Sequence, residues 1–374
     1  MSTDLDVAQR SPAEIADALR RAGLSGAGGG GFPTYAKWQS LDDIDHLLVN
    51  HQESEPNCYV DKWIGREHAA ELADTFDALL AAHLDSVVIG AKLADRDPWV
   101  RPLEDATGAT VYLPDDLPID PGAVSDVVIA YTDSAYELGM ENVLLQKIGG
   151  LVIGKDLPID YGWIVQNTET VYDIWRAFAL DTPVLHRLVH VDGYRADGSR
   201  IPHRMFEAPI GTSAAALFDA AGVDPDTLAS DRTLVEGGPG WCFKVQRPAD
   251  RYGVAKHTNC LMLLNEAAVA QNTYGNGRIN VIEPLTWSLD DPDTVPTAVD
   301  PDRVHVPIVT NETYDDLVTA SKPTVEFGDR VSEGQPVAEP HRDKSRFSVA
   351  HHTPIEGQVS DVTPREVEVR RPEV

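Results

Sequence analysis

The chain has 374 residues and a formal charge of −29, from 31 basic and 60 acidic side chains. A hydrophobic content of 42% is enough to build cores and excludes a disordered chain, and the charge argues against nucleic acid and anionic membranes as partners. Three cysteines, Cys58, Cys242 and Cys260, are too few and too scattered for a four-cysteine iron–sulfur centre, a structural zinc site or a disulfide framework.

The acidic residues run along the whole chain and only nine of the basic residues are lysine. That balance suits a halophilic protein kept soluble in high salt; an ordinary acidic cytoplasmic protein is the plainer alternative. No run approaches 18 apolar residues and the N-terminus lacks a basic-then-apolar pattern, so a cytoplasmic chain without membrane insertion is expected.

The length predicts two or three domains. An amphipathic helix enters at Ser11-Pro12, with Ile15, Leu19 and Ala22 inward. The runs IDHLLVNHQ, DSVVIGAKL, DVVIAYT and YGWIVQN read as buried strands, and REHAAELADTFDALLAAH as a helix with Leu72, Phe76, Leu79 and Leu80 on its apolar face. Strands alternating with helices predict an α/β domain with a largely parallel sheet over residues 1–183. Residues 184–270 change to short alternating strands (VLHRLVHVDGYR, RMFEAPIG) and one helix opened by Thr212-Ser213, an α+β pattern. Residues 271–310 are rich in Pro, Asp and Asn and read as a connection, and residues 311–374 as short strands broken by Gly turns, so all-β.

Residues 25–31, Ser-Gly-Ala-Gly-Gly-Gly-Gly, form the sharpest local signal. Glycine permits positive φ and close backbone approach, so the loop is either a phosphate cradle or a flexible linker. It is not a P-loop, because no Gly-Lys-Ser/Thr follows, and it does not follow a strand as a dinucleotide fingerprint should. Together with Phe32-Pro33-Thr34-Tyr35-Ala36-Lys37-Trp38 it resembles the GxGGxGFPTxxKW motif of the flavin- and NADH-binding subunit of respiratory complex I. The same family includes the C subunit of the Rnf electron-transport complex and the propanediol-utilisation cobalamin reductase. Three further segments fall in the family order: Val49–Pro56 resembles VNxxExEP, Tyr136–Glu141 resembles YxxGxE, and Val165–Thr170 resembles VxNxxT.

The resemblance implies FMN as cofactor and NADH as substrate. Carried over, Gly26, Gly28 and Gly29 present backbone to the phosphate side of FMN, and Lys37 supplies a cation. Asn50, Glu53, Gly139, Asn167 and Thr170 belong to the cofactor set, while Phe32, Glu55 and Glu141 face NADH. Several of these residues have a plainer alternative: Asn167 and Thr170 as a helix cap, Phe32 as core, Glu53 and Glu55 as a solvated loop. The departures from the complex I pattern are Ala27 for arginine, Gln52 for an acidic residue, and Met140 for glutamate. They place the chain nearer the Rnf and cobalamin-reductase branch and weigh against NADH more than against FMN.

Residues from Val184 to Val245, closing on Gly237-Gly238-Pro239-Gly240, resemble the soluble-ligand-binding β-grasp (SLBB) domain of this family. Val325–Glu339 with Pro354–Val359 resembles a barrel-sandwich hybrid, and its C-terminal position is the cobalamin-reductase order. Asp343-Lys344 sits at the spacing of a lipoyl lysine, with a plain hairpin-tip lysine as the alternative. The stretch after Asn272, where relatives carry iron–sulfur cysteines, has none, so no cluster is expected in this chain. Cys58 is expected to be a packing residue. The resulting expectation is an FMN-dependent electron-transfer oxidoreductase with the flavin as the catalytic group and no protein base or metal. It would take electrons from NADH to a redox partner protein, a quinone or a corrinoid. The chain would then be free in the cytoplasm or a subunit of a larger complex at a membrane. The alternative is a non-catalytic docking or corrinoid-binding subunit.

Overall fold

The computed structural model describes residues 5–124, 126–195, 197–223, 232–314, 317–341 and 346–372. They group into two compact units. The first takes the chain up to Arg20, then Thr34–Ser54 and Tyr59–Thr182; the second takes Arg21–Pro33, Glu55–Cys58 and everything from Pro183. The glycine loop, Phe32 and Glu55 therefore belong to the second unit, and the other expected site residues to the first.

The first unit is a five-stranded parallel sheet of β1 (His46–His51), β2 (Ser86–Lys92), β3 (Thr110–Tyr112), β4 (Val127–Thr132) and β5 (Trp163–Asn167). The order is β3-β4-β2-β1-β5 and every pair is parallel. All of β4 and nearly all of β2 is buried, so both sheet faces are covered, which is why these strands are continuous apolar runs rather than alternating ones. Helices α1 (Pro12–Ala22), α2 (Thr34–Trp38), α3 (Val60–Glu67), α4 (Ala69–Ala82), α5 (Arg101–Thr107), α6 (Glu141–Gly149) and α7 (Thr168–Ala179) complete the layers. The start of α1 is a reciprocal cap: the Ser11 amide and hydroxyl donate to Glu14 Oε2 at 2.9 and 2.7 Å, and the Glu14 amide returns to Ser11 Oγ at 3.4 Å. Leu144, Leu145 and Ile148 of α6 pack on Leu48, Val88, Val128 and Val165 of the sheet. Strand β3 was not anticipated; it is three residues long, lies at the sheet edge and has no buried residue.

The second unit holds three sheets. Strands β6 (His186–Gly193), β7 (Arg204–Pro209), β8 (Arg232–Gly238), β9 (Trp241–Lys244), β10 (Cys260–Asn265) and β11 (Thr297–Ala298) form a mixed sheet in the order β11-β7-β6-β10-β8-β9. Helix α8 (Ala214–Ala220), capped by Ser213 Oγ accepting from Ala216 N at 3.2 Å, lays Leu217 and Phe218 on Val189, Val191, Phe206 and Leu261. Helix α9 (Glu266–Gln271) follows β10. Strands β12 (Arg303–Pro307), β13 (Lys322–Pro323), β14 (Arg330–Val331), β15 (Pro336–Glu339), β16 (His351–His352), β17 (Gly357–Val362) and β18 (Glu366–Arg370) make a four-stranded and a three-stranded sheet around one apolar core.

The segment 271–310 is more than a connection. It contributes β11, sends β12 to pair with β18, and buries Ile279, Val281 and Trp287. Val304 and Val306 alternate inward along β12, a strand pattern hidden by the flanking Pro and Asp. The buried residues Ile279, Val281 and Trp287 share a core with Cys58, Cys242 and Cys260, so all three thiols lie in one apolar cluster. Burial foremost pushes the Cys242 thiol upward, far from a reactive thiolate. The Asp343-Lys344 pair lies outside the described residues.

One ion pair of the second unit makes its stability pH-dependent. His257 donates through Nδ1 to the Thr310 carbonyl at 2.6 Å and faces Glu236 through Nε2 at 3.5 Å, which needs the imidazolium. Burial opposes both charges. The Glu236 carboxylate still raises His257 above its ordinary 6.5, and His257 with hydrogen bonds from Thr258 and Tyr252 holds Glu236 down to about 2. The His257 contribution is complete below 6.5 and lost as pH rises through its raised value. The Glu236 contribution is complete above 4.5 and lost as pH falls toward about 2. Thermal melts should therefore show the pair's stabilisation between pH 4.5 and 6.5 and its decline above that window. His257→Gln should remove the decline; a variant whose melting point tracks the parent at every pH would contradict this.

Candidate functional site

Two of the motifs meet at the carboxyl ends of β1 and β5. The chain steps from β1 outward through β2, and β5 returns on the other side of β1, so the strand order reverses between them. In open α/β sheets ligands bind in the crevice outside such a switch point. VNxxExEP ends β1 and VxNxxT ends β5, and the register places Asn50 directly opposite Asn167.

The β1 end continues into a turn in which Glu53 takes a left-handed φ of 35°, unusual for a side-chain-bearing residue. Two contacts hold it: its carbonyl accepts from Lys92 Nζ at 2.9 Å, and its carboxylate accepts from the Asp61 amide at 3.0 Å. Asn50 Nδ2 donates to the Gly139 carbonyl at 2.8 Å, which ties in the YxxGxE segment. A Cβ at Gly139 would sit 2.3 Å from Ser54 Oγ, so a larger residue there requires the Ser54 side chain to move.

Asn167 is the N-cap of α7. Its Oδ1 accepts from the Glu169 and Thr170 amides at 3.0 and 3.4 Å, and its Nδ2 donates to Asp61 Oδ2 at 2.6 Å. Thr170 is fully buried in the first turn. The cap alternative thus describes the Oδ1 of Asn167, and its second amide hydrogen is left over. Asp61 is buried with Glu53 and Glu169 around it. Burial first, then those carboxylates, push its carboxyl well above the usual range against the two donors it accepts from.

Lys37, in the last turn of α2, reaches across to β5. Its Nζ donates to the Val165 carbonyl at 3.0 Å and to Glu141 Oε2 at 2.8 Å. On the same helix the Thr34 hydroxyl is buried without a partner among the described residues. Gln52 is fully buried and donates to Thr132 Oγ1 at 3.2 Å, so this departure from the acidic family residue fills an internal position.

In the second unit the glycine loop is a closed turn: Gly26 N donates to Phe32 O at 2.8 Å and Gly31 N to Gly26 O at 2.9 Å. Two of its carbonyls are taken up by the fold, Ala27 O by Arg187 and Gly30 O by Asn311, both at 2.8 Å. The Gly28 and Gly30 amides have no protein partner among the described residues and the segment 28–30 is exposed. The turn needs glycine at Gly29 (φ 84°) and Gly31 (φ 63°). Ala27, which stands where the complex I pattern has arginine, is buried at 1% exposure. Phe32 packs edge-on against Tyr314 and Phe347 at 5.6 and 5.4 Å. Glu55 Oε2 accepts from the Gly240 amide at 2.7 Å, pinning the Gly-Gly-Pro-Gly turn, and a Cβ on Gly238 would collide with it.

Residues 19–176 match the family model of the Nuo51 FMN-binding domain (Complex1_51K). That segment is similar to a Nuo51-type FMN-binding domain. Its span takes in the glycine loop, α2, both strand ends and the cap of α7. Two relatives are the C subunits of the ion-translocating oxidoreductase complexes of Vibrio cholerae and Pseudomonas aeruginosa. The chain is 29% identical to the first over 262 residues and 29% identical to the second over 260. Each alignment covers 69% of this chain and 30% of the relative, so the chain spans less than a third of these two relatives' length. Among solved structures it is similar to the NAD+-reducing [NiFe]-hydrogenase in its air-oxidized state, with a TM-score of 0.53 and 21% identity. That match covers 72% of this chain and 49% of the other, and at this identity it speaks for the fold alone. Among the described residues no group of three His, Cys, Asp or Glu could hold a metal, and no helix is long and apolar enough to cross a membrane.

Sequence reasoning missed three residues around the β1 and β5 ends. Asp61 lies six residues past Glu55, the acidic residue in the first turn of α3. Lys92 ends the apolar run of β2 at its carboxyl end, where α/β sites lie, and that position was the available signal. Lys62, buried at 8% exposure, pairs with Asp95 at 2.9 Å beside them.

Proposed function

We propose that the chain binds FMN and serves as the flavin-bearing part of an NADH-linked electron-transfer oxidoreductase. The supporting observation is the pairing of Asn50 with Asn167 at the β1–β5 switch point, with Lys37 anchored to β5 beside them. The residues fit the cofactor: a half-buried cation, a spare amide hydrogen on Asn167 and an unpartnered Thr34 hydroxyl. Bound FMN would supply the hydride and single-electron chemistry, and the protein residues would hold it, shield it and set its electrostatics. The β-grasp and barrel-sandwich readings of the second unit belong to this proposal, as does an acceptor that is a partner protein, a quinone or a corrinoid.

A docking role without hydride transfer has one observation in its favour. Glu55, expected to face NADH, is engaged with the Gly240 amide. Purified protein should take up FMN to near-stoichiometric occupancy and lose its flavin absorbance when NADH is added without air. Protein that stays colourless after incubation with FMN would overturn the flavin reading. Flavin uptake without bleaching by NADH would select the docking role.

A further inference from the structure

We propose that Asp61 is the positioning residue of the flavin site, the group that fixes the orientation of the Asn167 amide and the Glu53 turn. The inference rests on the FMN reading above and concerns a residue outside the motifs that carry it.

Asp61 touches both strand-end segments. Its Oδ2 accepts from Asn167 Nδ2 at 2.6 Å, its Oδ1 from the Glu169 amide at 3.2 Å, and its own amide donates to Glu53 Oε2 at 3.0 Å. An asparagine amide has two orientations, and here both ends are decided. Oδ1 faces two α7 amides, and Nδ2 faces a carboxylate. Turning it over would set its NH2 against two N–H donors and take away the donor that Asp61 Oδ2 accepts from. Asn167 is therefore locked, and the only group it can offer outward is its second amide hydrogen. It can serve an acceptor oxygen or nitrogen of the flavin and cannot accept from one. Glu53 is held in its left-handed conformation from two sides, by Lys92 on its carbonyl and the Asp61 amide on its carboxylate. Asp61 is buried, and the two oxygens of its carboxyl group take the two converging donors from Asn167 and Glu169.

The test pairs Asp61→Asn with Asp61→Ala in the full chain. Asparagine keeps the shape but turns one acceptor into a donor; alanine removes both. FMN titration by fluorescence quenching should show at least a tenfold rise in Kd for both variants, at a temperature where circular dichroism shows native fold. In flavin-free protein, hydrogen exchange at the Glu169 and Thr170 amides should accelerate, because a freed Asn167 no longer caps them. A fall in melting temperature with unchanged Kd and unchanged exchange would reduce Asp61 to packing and overturn the proposal. If the unmodified chain takes no FMN, the flavin reading fails. Exchange then decides the positioning alone: faster exchange in Asp61→Asn upholds it, and exchange equal to the parent overturns it.

Discussion

Replacing Lys37 by alanine is expected to weaken FMN binding by about tenfold to a hundredfold while moving the melting temperature little. The asymmetry follows from where the ammonium sits. Its ion pair with Glu141 is partly solvated, with side-chain exposures of 27% and 38%, and pairs of that kind stabilise a fold by roughly 0–1 kcal/mol. A charge-assisted hydrogen bond to a bound anion or flavin carbonyl is worth about 1.5–3 kcal/mol, which is the factor named. The setting enlarges the effect. In a chain of net −29 with nine lysines, an unopposed Glu141 would repel an anionic cofactor once Lys37 is gone. The double variant Lys37→Ala/Glu141→Gln separates the two contributions: it should recover part of the lost affinity but not all of it. Isothermal titration of FMN into the three proteins reads both. Equal affinity for the parent and Lys37→Ala would remove Lys37 from the cofactor set and leave it as a tie between α2 and β5.

Much of this arrangement was legible because parallel strands buried on both faces write themselves as apolar runs. Leu47-Leu48-Val49, Val87-Val88-Ile89 and Val127-Val128-Ile129 are such runs, and the four strands they and Trp163–Asn167 belong to were readable in the sequence alone. Edge strand β3 had no such run to show. VNxxExEP and VxNxxT mark the ends of β1 and β5, but not that Asn50 and Asn167 stand opposite each other, because register between β1 and β5 joins residues more than a hundred positions apart. The same reason hid where the glycine loop is tightest. Gly26, Gly28 and Gly29 stand out by motif, whereas the most constrained position is Gly31, where a Cβ would lie 2.8 Å from Thr310 O and from Asn311 Cβ. A Cβ at Gly26 meets nothing nearer than 3.7 Å. Glu55 and the Gly-Gly-Pro-Gly turn were each singled out, but their meeting at Gly240 belongs to the tertiary fold. Asp61 escaped for a chemical reason. It contacts the motif residues, not the ligand they were chosen for, and a search for ligand-facing groups passes over the residue that aims them.

Gly65→Ala should destabilise the first unit by about 2 kcal/mol, against the ordinary rule for its location. Gly65 lies inside α3, where alanine normally gains about 1 kcal/mol in helix propensity. Here the added Cβ would lie 2.4 Å from His51 Cε1 and 3.0 Å from its Nε2. The imidazole cannot swing away cheaply. It is 1% exposed, its Nδ1 is bonded to Thr168 Oγ1 at 2.8 Å, and Thr168 opens α7. Burial first, then Lys62, holds His51 down to about 3, so the ring stays neutral at any working pH and the clash cannot be relieved by protonation and exposure. Any shift of the ring drags the end of β1, where Asn50 faces Asn167, so FMN affinity should fall along with stability. For a unit of this size about 2 kcal/mol corresponds to a drop of about 4–8 °C in melting temperature. Combining the change with His51→Ser opens the space the methyl needs. The double variant should then lose less stability than the sum of the two single changes, because Gly65→Ala carries no clash without the ring. A single Gly65→Ala variant that melts above the parent would show the helix rule winning and the His51 ring free to move.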